Sequence, residues 1–439
     1  MLIFAGFFVA MELMDRYSKC IKAMYGLRRF GIKLGLSTIK SMMKSLGNPQ
    51  KSFLCIHVAG TNGKGSIASS LASILKESNY KVGLFTSPHL VRFNERIQID
   101  NKPVSNKSIV EAYEALKNVS SGNREPTFFE YSTAMAFYEF GKQKVDWAVI
   151  ETGMGGRLDA TNIIKPALTI ISNISLEHRM YLGNTIKEIA GEKGGIIKNY
   201  TPVVTGARQK SAVSTLKDIA LEKSAPFYRL GEDFKVRRSR NRNNKFTYYG
   251  IENTWHNLHT GLQGDYQIDN AAIVLAACEL LDKNKAEIPL NSIQKGLENN
   301  HWPGRLEIVS DNPLIILDGA HNLIGTRKLV KYLAKNLSRR KITLVAGILD
   351  DKPYSSMIKT LCSVCHRAIL TQPRINRALL PEKLYSPAKQ VISDIKIIPK
   401  VNDAIKYAIK TTPKKDAICI AGSLYLVGEA IEYFEKNPA

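Results

Sequence analysis

The stretch "CIHVAGTNGKGS", Cys55 to Ser66, decides the fold class, because it runs a short apolar segment into three glycines with a single lysine between the last two. "LCIHVAG" reads as a buried strand, apolar on both faces. A strand that feeds a glycine-rich turn and then a helix wraps backbone N–H groups around an anion, and the helix amino terminus adds its partial positive charge. Lys64 stands where an ammonium neutralises the outer phosphates of a nucleotide. Its flanking glycines let main chain approach an oxyanion with no Cβ in the way. The spacing departs from G-x-x-x-x-G-K-[ST], since Gly65 separates Lys64 from Ser66. Taken alone, the segment also reads as a bare glycine-rich turn.

Outward from this stretch, similar apolar runs recur with helix-like segments between them. They are "KVGLFTS" from Lys81, "DWAVIETG" from Asp146, "ALTIISN" from Ala167 and "PVVTG" from Pro202, then "LIILDGA" from Leu314, "KITLVAG" from Lys341, "RAILTQ" from Arg367 and "DAICIAGS" from Asp416. Such alternation describes an α/β protein with mostly parallel sheets covered on both faces. The expected fold is a P-loop-type, mostly parallel sheet domain followed by a smaller Rossmann-like α/β domain. Ligands of such sheets sit at the carboxyl ends of the strands, where Gly60 to Ser66, Glu151, Asp318 and Ser423 fall. Near "NNHWPGRLEIV", Asn299 to Val309, tryptophan, proline and glycine interrupt a helix before the next strand, and this is the expected hinge.

Composition bounds the function. With 439 residues the chain can hold two or three domains, and 44% hydrophobic against 23% charged residues excludes a disordered chain. The 62 Lys and Arg against 39 Asp and Glu give a net charge of +23, which attracts anions. The basic residues are scattered, so base composition is their first reading and an acidic small substrate the second. The densest cluster, "VRRSRNRNNK", Val236 to Lys245, precedes the strand-like "FTYYG" and reads as a solvated loop, because no stacking aromatics or recognition fold accompany it. No nucleic-acid partner is expected. No run reaches the roughly eighteen apolar residues of a membrane span, and "MLIFAGFFVAMEL" lacks a positive leading region and a cleavage site. No membrane association is expected either. Residues 1–13 read as an upstream extension before an amphipathic helix, a loop and a second helix ending at Gly47. Six dispersed cysteines suit reduced thiols and a cytoplasmic setting. "CSVCH", Cys362 to His366, matches the haem-attachment spacing, but it reads as the passage from a helix into a buried strand.

Three further stretches carry chemistry. In "VIETGMGGRLDATN", Glu151 ends an apolar strand beside a second glycine-rich turn and is placed to ligate Mg²⁺, which takes hard oxygen donors from one or two carboxylates. In "ISNISLEHRMYLGNTIKEIAGEKGGIIK", His178 follows a strand end and offers a second metal ligand, while Lys193 precedes paired glycines near a helix end. "ILDGAHN" and "AGSLYLVGEA" are strand-to-turn segments with polar tips. Phosphate-friendly surfaces on both domains imply a cleft that closes over nucleotide.

These stretches, with "LGNPQ", "SPHL", "ERI", "FFEYSTAMAF", "GDYQIDNAA", "WPGRLE" and "GSLYLVGE", closely resemble folylpolyglutamate synthase and dihydrofolate synthase, members of the Mur ligase superfamily. The likeness runs from about Leu46 to Glu429. It implies ATP-dependent ligation of glutamate to dihydropteroate, to reduced folates, or to both, through an acyl phosphate. Residues 1–300 would form the ATP- and pterin-binding domain, 301–306 the hinge and 307–439 the glutamate-binding domain. By the same resemblance, Gly60, Thr61, Asn62, Gly63, Lys64, Gly65 and Ser66 hold ATP, with Asn270 and Asp318 on the adenosine and Arg305 on the phosphates. Ser66, Glu151 and His178 bind one or two Mg²⁺, and a carbamylated Lys193 acts as a further anionic partner. Thr127, Phe129 and Asp159 lie by the pterin, and His321 and Ser423 near glutamate, with Lys64, Lys193 and His321 catalytic. The implied partners are small molecules only, and the implied state is a monomer.

The sequence departs from the family pattern at Glu177, where aspartate is commoner, at Gly194, where alanine is usual, and at Leu323, where proline is typical. None of these removes a proposed ligand. Two other functions compete: a Mur-type ligase for a cell-wall nucleotide, disfavoured by "SPHL" and "FFEYSTAMAF", and a nucleic-acid-binding NTPase using the loop near Arg240.

Overall fold

The computed structural model describes residues 2–239, 245–282 and 286–437, so the middle of the basic cluster, 240–244, lies outside the described residues. Two compact units form, Met1–Gly261 with Gln267–Asn300, and Leu262–Tyr266 with His301–Ala439.

The first unit is built on strands β1 (Leu54–Ala59), β2 (Val82–Phe85), β3 (Ile97–Ile99), β4 (Lys102–Pro103), β5 (Trp147–Glu151), β6 (Leu168–Ile171), β7 (Val203–Thr205) and β8 (Phe227–Arg229), in the order β4-β3-β2-β5-β1-β6-β7-β8. All pairings from β2 to β8 are parallel, and β3 and β4 add an antiparallel edge. The strands read from the sequence are buried on both faces, as their unbroken apolar runs require: Ile56, Val58, Val149, Ile150 and Ile170 are fully enclosed. β1 lies between β5 and β6, and chain order reverses across it, which opens a crevice at the carboxyl ends of these strands.

A helix, Lys64–Glu77, starts directly after the turn that follows β1, and every residue from Ser66 to Leu75 on it is buried. Asn300 locks it from outside the sheet by donating to the hydroxyls of Ser69 and Ser70 at 3.1 and 2.9 Å. The amino-terminal helix spans Leu2–Gly26 and buries Cys20 and Met24, and a second helix follows at Ser37–Ser45.

Strands β9 (Lys235–Arg238), β10 (Lys245–Tyr249) and β11 (Thr254–His259) make a small antiparallel sheet. It is pinned to the helix Asp265–Asp282 through buried Glu279. That carboxylate accepts from the Tyr248 hydroxyl at 2.7 Å and from the backbone N–H groups of Ile251 and Asn253 at 2.8 and 2.7 Å.

The second unit carries β12 (Glu307–Asp311), β13 (Leu314–Asp318), β14 (Ile342–Ala346), β15 (Arg367–Gln372), β16 (Ile395–Lys400) and β17 (Ala417–Ala421), in the order β12-β13-β17-β14-β15-β16. Only β12 is antiparallel to its neighbour. Around "CSVCH" the helix Tyr354–Cys362 leads into β15, as expected; burial pushes the Cys362 thiol up to about 12, and Cys365 Sγ lies 3.1 Å from the Leu361 carbonyl. No helix among the described residues is long and apolar enough to cross a membrane.

Candidate active site

The turn after β1 is held from below by the turn after β6. Thr61 N–H donates to the Asn173 carbonyl (2.9 Å), Asn62 N–H to Asn173 Oδ1 (3.1 Å), and both Ser172 Oγ and Asn173 Nδ2 donate to the Asn62 carbonyl (2.8 and 2.6 Å). The front of the loop therefore spends its N–H groups on protein. Those left to face a ligand belong to the first turn of the helix, Lys64 to Ser66, which has no carbonyl one turn earlier to bond. Gly60 and Gly63 have φ of +144° and +88°, and a Cβ on them would come within 1.9 Å of Ser172 Oγ and 2.8 Å of Asn270 Oδ1. Only glycine fits either place.

Three charged groups converge on this turn. Lys64 Nζ lies 3.9 Å from Glu151 Oε1 and donates to the Thr61 carbonyl at 3.4 Å. Glu151, at the carboxyl end of β5, also accepts from Ser87 N–H at 3.2 Å, which ties the "SPHL" turn to the same carboxylate. Lys193, buried in the last turn of the helix Ile186–Gly194, donates to the Gly60 carbonyl at 2.8 Å. Burial pushes its ammonium down to about 7, Lys64 acting in the same direction while Glu177 and Asp159 oppose. Ser66 is buried and accepts from Gln267 Nε2 at 3.2 Å, and Asn270, behind Gly63, donates to Gln267 Oε1 at 2.8 Å.

His178 stands apart in character. It is exposed, has φ of +53°, and heads a one-turn helix, Arg179–Leu182. Among the described residues no three His, Cys, Asp or Glu side chains gather as a metal cluster.

The pterin candidates sit around the turn after β5. The Phe129 ring fills the space at Gly153, where a Cβ would meet it at 2.5 Å, and Phe129 lies 6.0 Å from the Phe85 ring. Asp159 is buried and accepts from Met154 N–H at 2.9 Å and from Thr161 N–H and Oγ1 at 3.0 and 2.6 Å. Burial raises its pKa against those donors. Thr127 caps the helix Phe128–Gln143 in a reciprocal box with Glu130, which also pairs with Arg124.

In the second unit Arg305, Asp318 and His321 come together at the end of β13. Arg305 Nη1 donates to the Gly319 carbonyl at 3.2 Å, and the same carbonyl lies 2.9 Å from His321 Nδ1. A carbonyl only accepts, so Nδ1 carries the hydrogen and Nε2 of the neutral ring is the acceptor. Asp318 accepts from the N–H groups of Leu306 and Ala320, both at 3.0 Å; burial raises its pKa while Arg305 opposes. Ser423 is wholly buried, and its hydroxyl caps the helix Leu424–Lys436 by accepting from Leu426 N–H at 3.1 Å.

Sequence reading passed over Asn173, Ser172, Gln267 and Ser87, each of which contacts a candidate residue. "ISNIS" was a visible signal for the first two, since polar residues directly after a parallel strand face the same crevice as the loop after its neighbour.

A mostly parallel sheet with a glycine-rich turn after β1, followed by a second α/β unit with its own polar strand ends, fits a ligase of the Mur type. The model of the Mur ligase middle domain matches residues 58–278, and that of the Mur ligase glutamate ligase domain matches residues 304–424. A dihydrofolate synthase/folylpolyglutamate synthase of Bacillus subtilis is 38% identical over 416 residues, which cover 92% of this chain and 96% of that protein. The structure of Escherichia coli FolC in complex with DHPP and ADP aligns with a TM-score of 0.88 at 28% identity, over 96% of this chain and 98% of that one. Mycobacterium tuberculosis folylpolyglutamate synthase, complexed with ADP and AMPPCP, aligns with a TM-score of 0.88 at 30% identity, over 97% and 100%. The chain belongs to the folylpolyglutamate synthase and dihydrofolate synthase family of ATP-dependent, amide-forming ligases.

Proposed function

We propose that this chain uses ATP to join L-glutamate to the carboxylate of dihydropteroate, of a reduced folate, or of both. A carboxylate oxygen of the acceptor attacks the γ-phosphorus and ADP leaves, giving an acyl phosphate. The amine of glutamate then attacks the acyl carbon, phosphate leaves, and the nitrogen gives up a proton. Phosphoryl transfer asks the protein mainly for alignment and charge stabilisation. Lys64 and the first-turn N–H groups supply these at the β and γ phosphates, Arg305 supplies a second cation, and Asn270 and Asp318 hold the adenosine.

Ser66 and Glu151 present hard oxygens of the kind magnesium takes, and they would hold one ion, with His178 as a ligand for a second. A bound magnesium supplies charge neutralisation on the transferring phosphate. Lys193 suits carbamylation because burial favours its neutral amine: that amine adds to carbon dioxide and releases a proton, turning a cation beside Lys64 into an anion. Thr127, Phe129 and Asp159 receive the pterin. His321, with Nε2 as acceptor, takes the proton from the glutamate amine, and Ser423 fixes the wall beside it. We read the protein as a cytoplasmic monomer acting on small molecules.

The observation that carries this reading is the meeting of Lys64, Glu151 and Lys193 on the Gly60–Ser66 turn. The experiment compares dihydropteroate with tetrahydrofolate as acceptor for radiolabelled glutamate, with ATP and magnesium, and follows ADP release. Release that depends on both acceptor and glutamate supports the reading. No transfer to any pterin-bearing acid overturns it.

A further inference from the structure

One buried histidine has no part in the chemistry above. His57 lies in the middle of β1, fully enclosed, where its neighbours Ile56 and Val58 are plain aliphatics. Its Nε2 is 2.8 Å from Thr161 Oγ1, and Nδ1 has no hydrogen-bond partner. An unpaired buried acceptor opposes folding, so a valine would serve the strand better unless the ring does something else.

The direction of the bonds shows what it does. Asp159 Oδ1 accepts, so the Thr161 hydroxyl donates its only hydrogen there, at 2.6 Å. Thr161 Oγ1 must then accept from His57, which fixes the hydrogen on Nε2 and leaves Nδ1 bare. The result is a one-way chain from a rigid central strand, through Thr161, to Asp159. Neither His57 nor Thr161 is exposed, and chained hydrogen bonds of this kind strengthen one another.

We propose that His57 is a positioning residue that acts through Thr161 to set the orientation of Asp159 against the pterin-bearing acceptor. This rests on the reading that Asp159 lies by the pterin. Thr161 with its hydroxyl free to turn would leave Oδ1 to the backbone N–H alone, and the carboxylate could tilt away from the acceptor.

The test measures KM for dihydropteroate or tetrahydrofolate, KM for ATP and kcat in His57→Val, Thr161→Val, the double variant and His57→Gln, whose amide reaches the place of Nε2. Each valine variant is expected to raise the acceptor KM about three- to tenfold, the range that one hydrogen bond's net contribution converts to. ATP KM and kcat stay within about twofold. The double variant is no worse than either single one, because both cut the same chain, and His57→Gln returns the acceptor KM to near wild type. Additive losses, an unchanged acceptor KM, or His57→Gln behaving like His57→Val overturns the proposal. Asp159→Asn separates the two failures. If it leaves the acceptor KM unchanged, the pterin reading itself is wrong; if it raises that KM while the valine variants do not, only the chain from His57 is wrong.

Discussion

Replacing Lys193 by methionine should stabilise this protein while it destroys activity. The side chain is 4% exposed, and burial holds its pKa near 7 against an ordinary 10.5. That gap, at about 1.4 kcal/mol per pH unit, amounts to roughly 5 kcal/mol opposing the ionised form in the folded state. Methionine removes this penalty in nearly the same volume. It also removes the bond to the Gly60 carbonyl, a loss of about 1 kcal/mol. Water reaching the site in the wild type trims the penalty further, so the expected gain at pH 6 is about 2–4 kcal/mol. The sign with pH follows from proton counting. Between about 7 and 10.5 the unfolded chain keeps a proton that folded Lys193 has shed, so this group makes wild-type stability rise with pH across that window and the advantage of Lys193→Met shrink. Urea unfolding at pH 6, 7.5 and 9 in carbon-dioxide-depleted buffer, which keeps the amine unmodified, measures both. A variant less stable than wild type at pH 6, or a stability difference independent of pH, would refute the reasoning.

Three further outcomes follow from the same geometry. Lys64→Ala removes the cation 3.9 Å from Glu151 and is expected to lower kcat by about a hundred- to a thousandfold with an unchanged melting temperature; retained glutamate transfer would exclude Lys64 from the chemistry. Asn173→Ala strips two hydrogen bonds from Asn62 and should raise ATP KM, and Asn173→Asp should be worse, because it sets an oxygen against the Asn62 carbonyl and a negative charge beside the phosphates. Steady-state kinetics giving the order Asp above Ala in ATP affinity would contradict this. Gly194→Ala places a methyl 2.6 Å from Ile219 Cδ1, the far end of a half-buried side chain that can turn aside, so the repacking and the gain of up to about 1 kcal/mol in helix propensity should nearly cancel; a melting temperature lowered by the change and restored by Ile219→Val in the same chain would show that Ile219 is held fast.

How much of this could be read from residues alone depended on what each residue's meaning rests upon. Strands such as Ile342–Ala346 and Ala417–Ala421 were legible because burial on both faces demands an unbroken apolar run. Ile97–Ile99 is only three residues long, and Lys235–Arg238 is a largely exposed edge strand whose basic residues obey no buried period; neither was legible. The glycine turn and Lys64 were visible because local sequence fixes them. The burial that lowers the Lys193 pKa depends on contacts between distant segments, and nothing near that residue announces it; Asn173 beneath the loop was signalled only by the polar "ISNIS" run at the end of its strand. Gly194 looked like a departure from the family pattern; the side chains of Leu216 and Ile219 fill the place an alanine methyl would take.

The features around the end of β1 share a direction. Gly60 and Gly63 sit at backbone angles that other residues resist, Lys193 is an amine whose burial opposes its charged form, and His57 carries an acceptor without a hydrogen-bond partner, the last two opposing folding. All four lie along β1, on the turn that follows it, or against that turn, whereas the rest of the strand and the helix Lys64–Glu77 are packed with aliphatic, alanine and small hydroxyl side chains. A strand flanked by β5 and β6, enclosed on both faces, is the element best able to carry such a load without local unfolding. The buried polar groups thus stand on or against an enclosed central strand of the sheet.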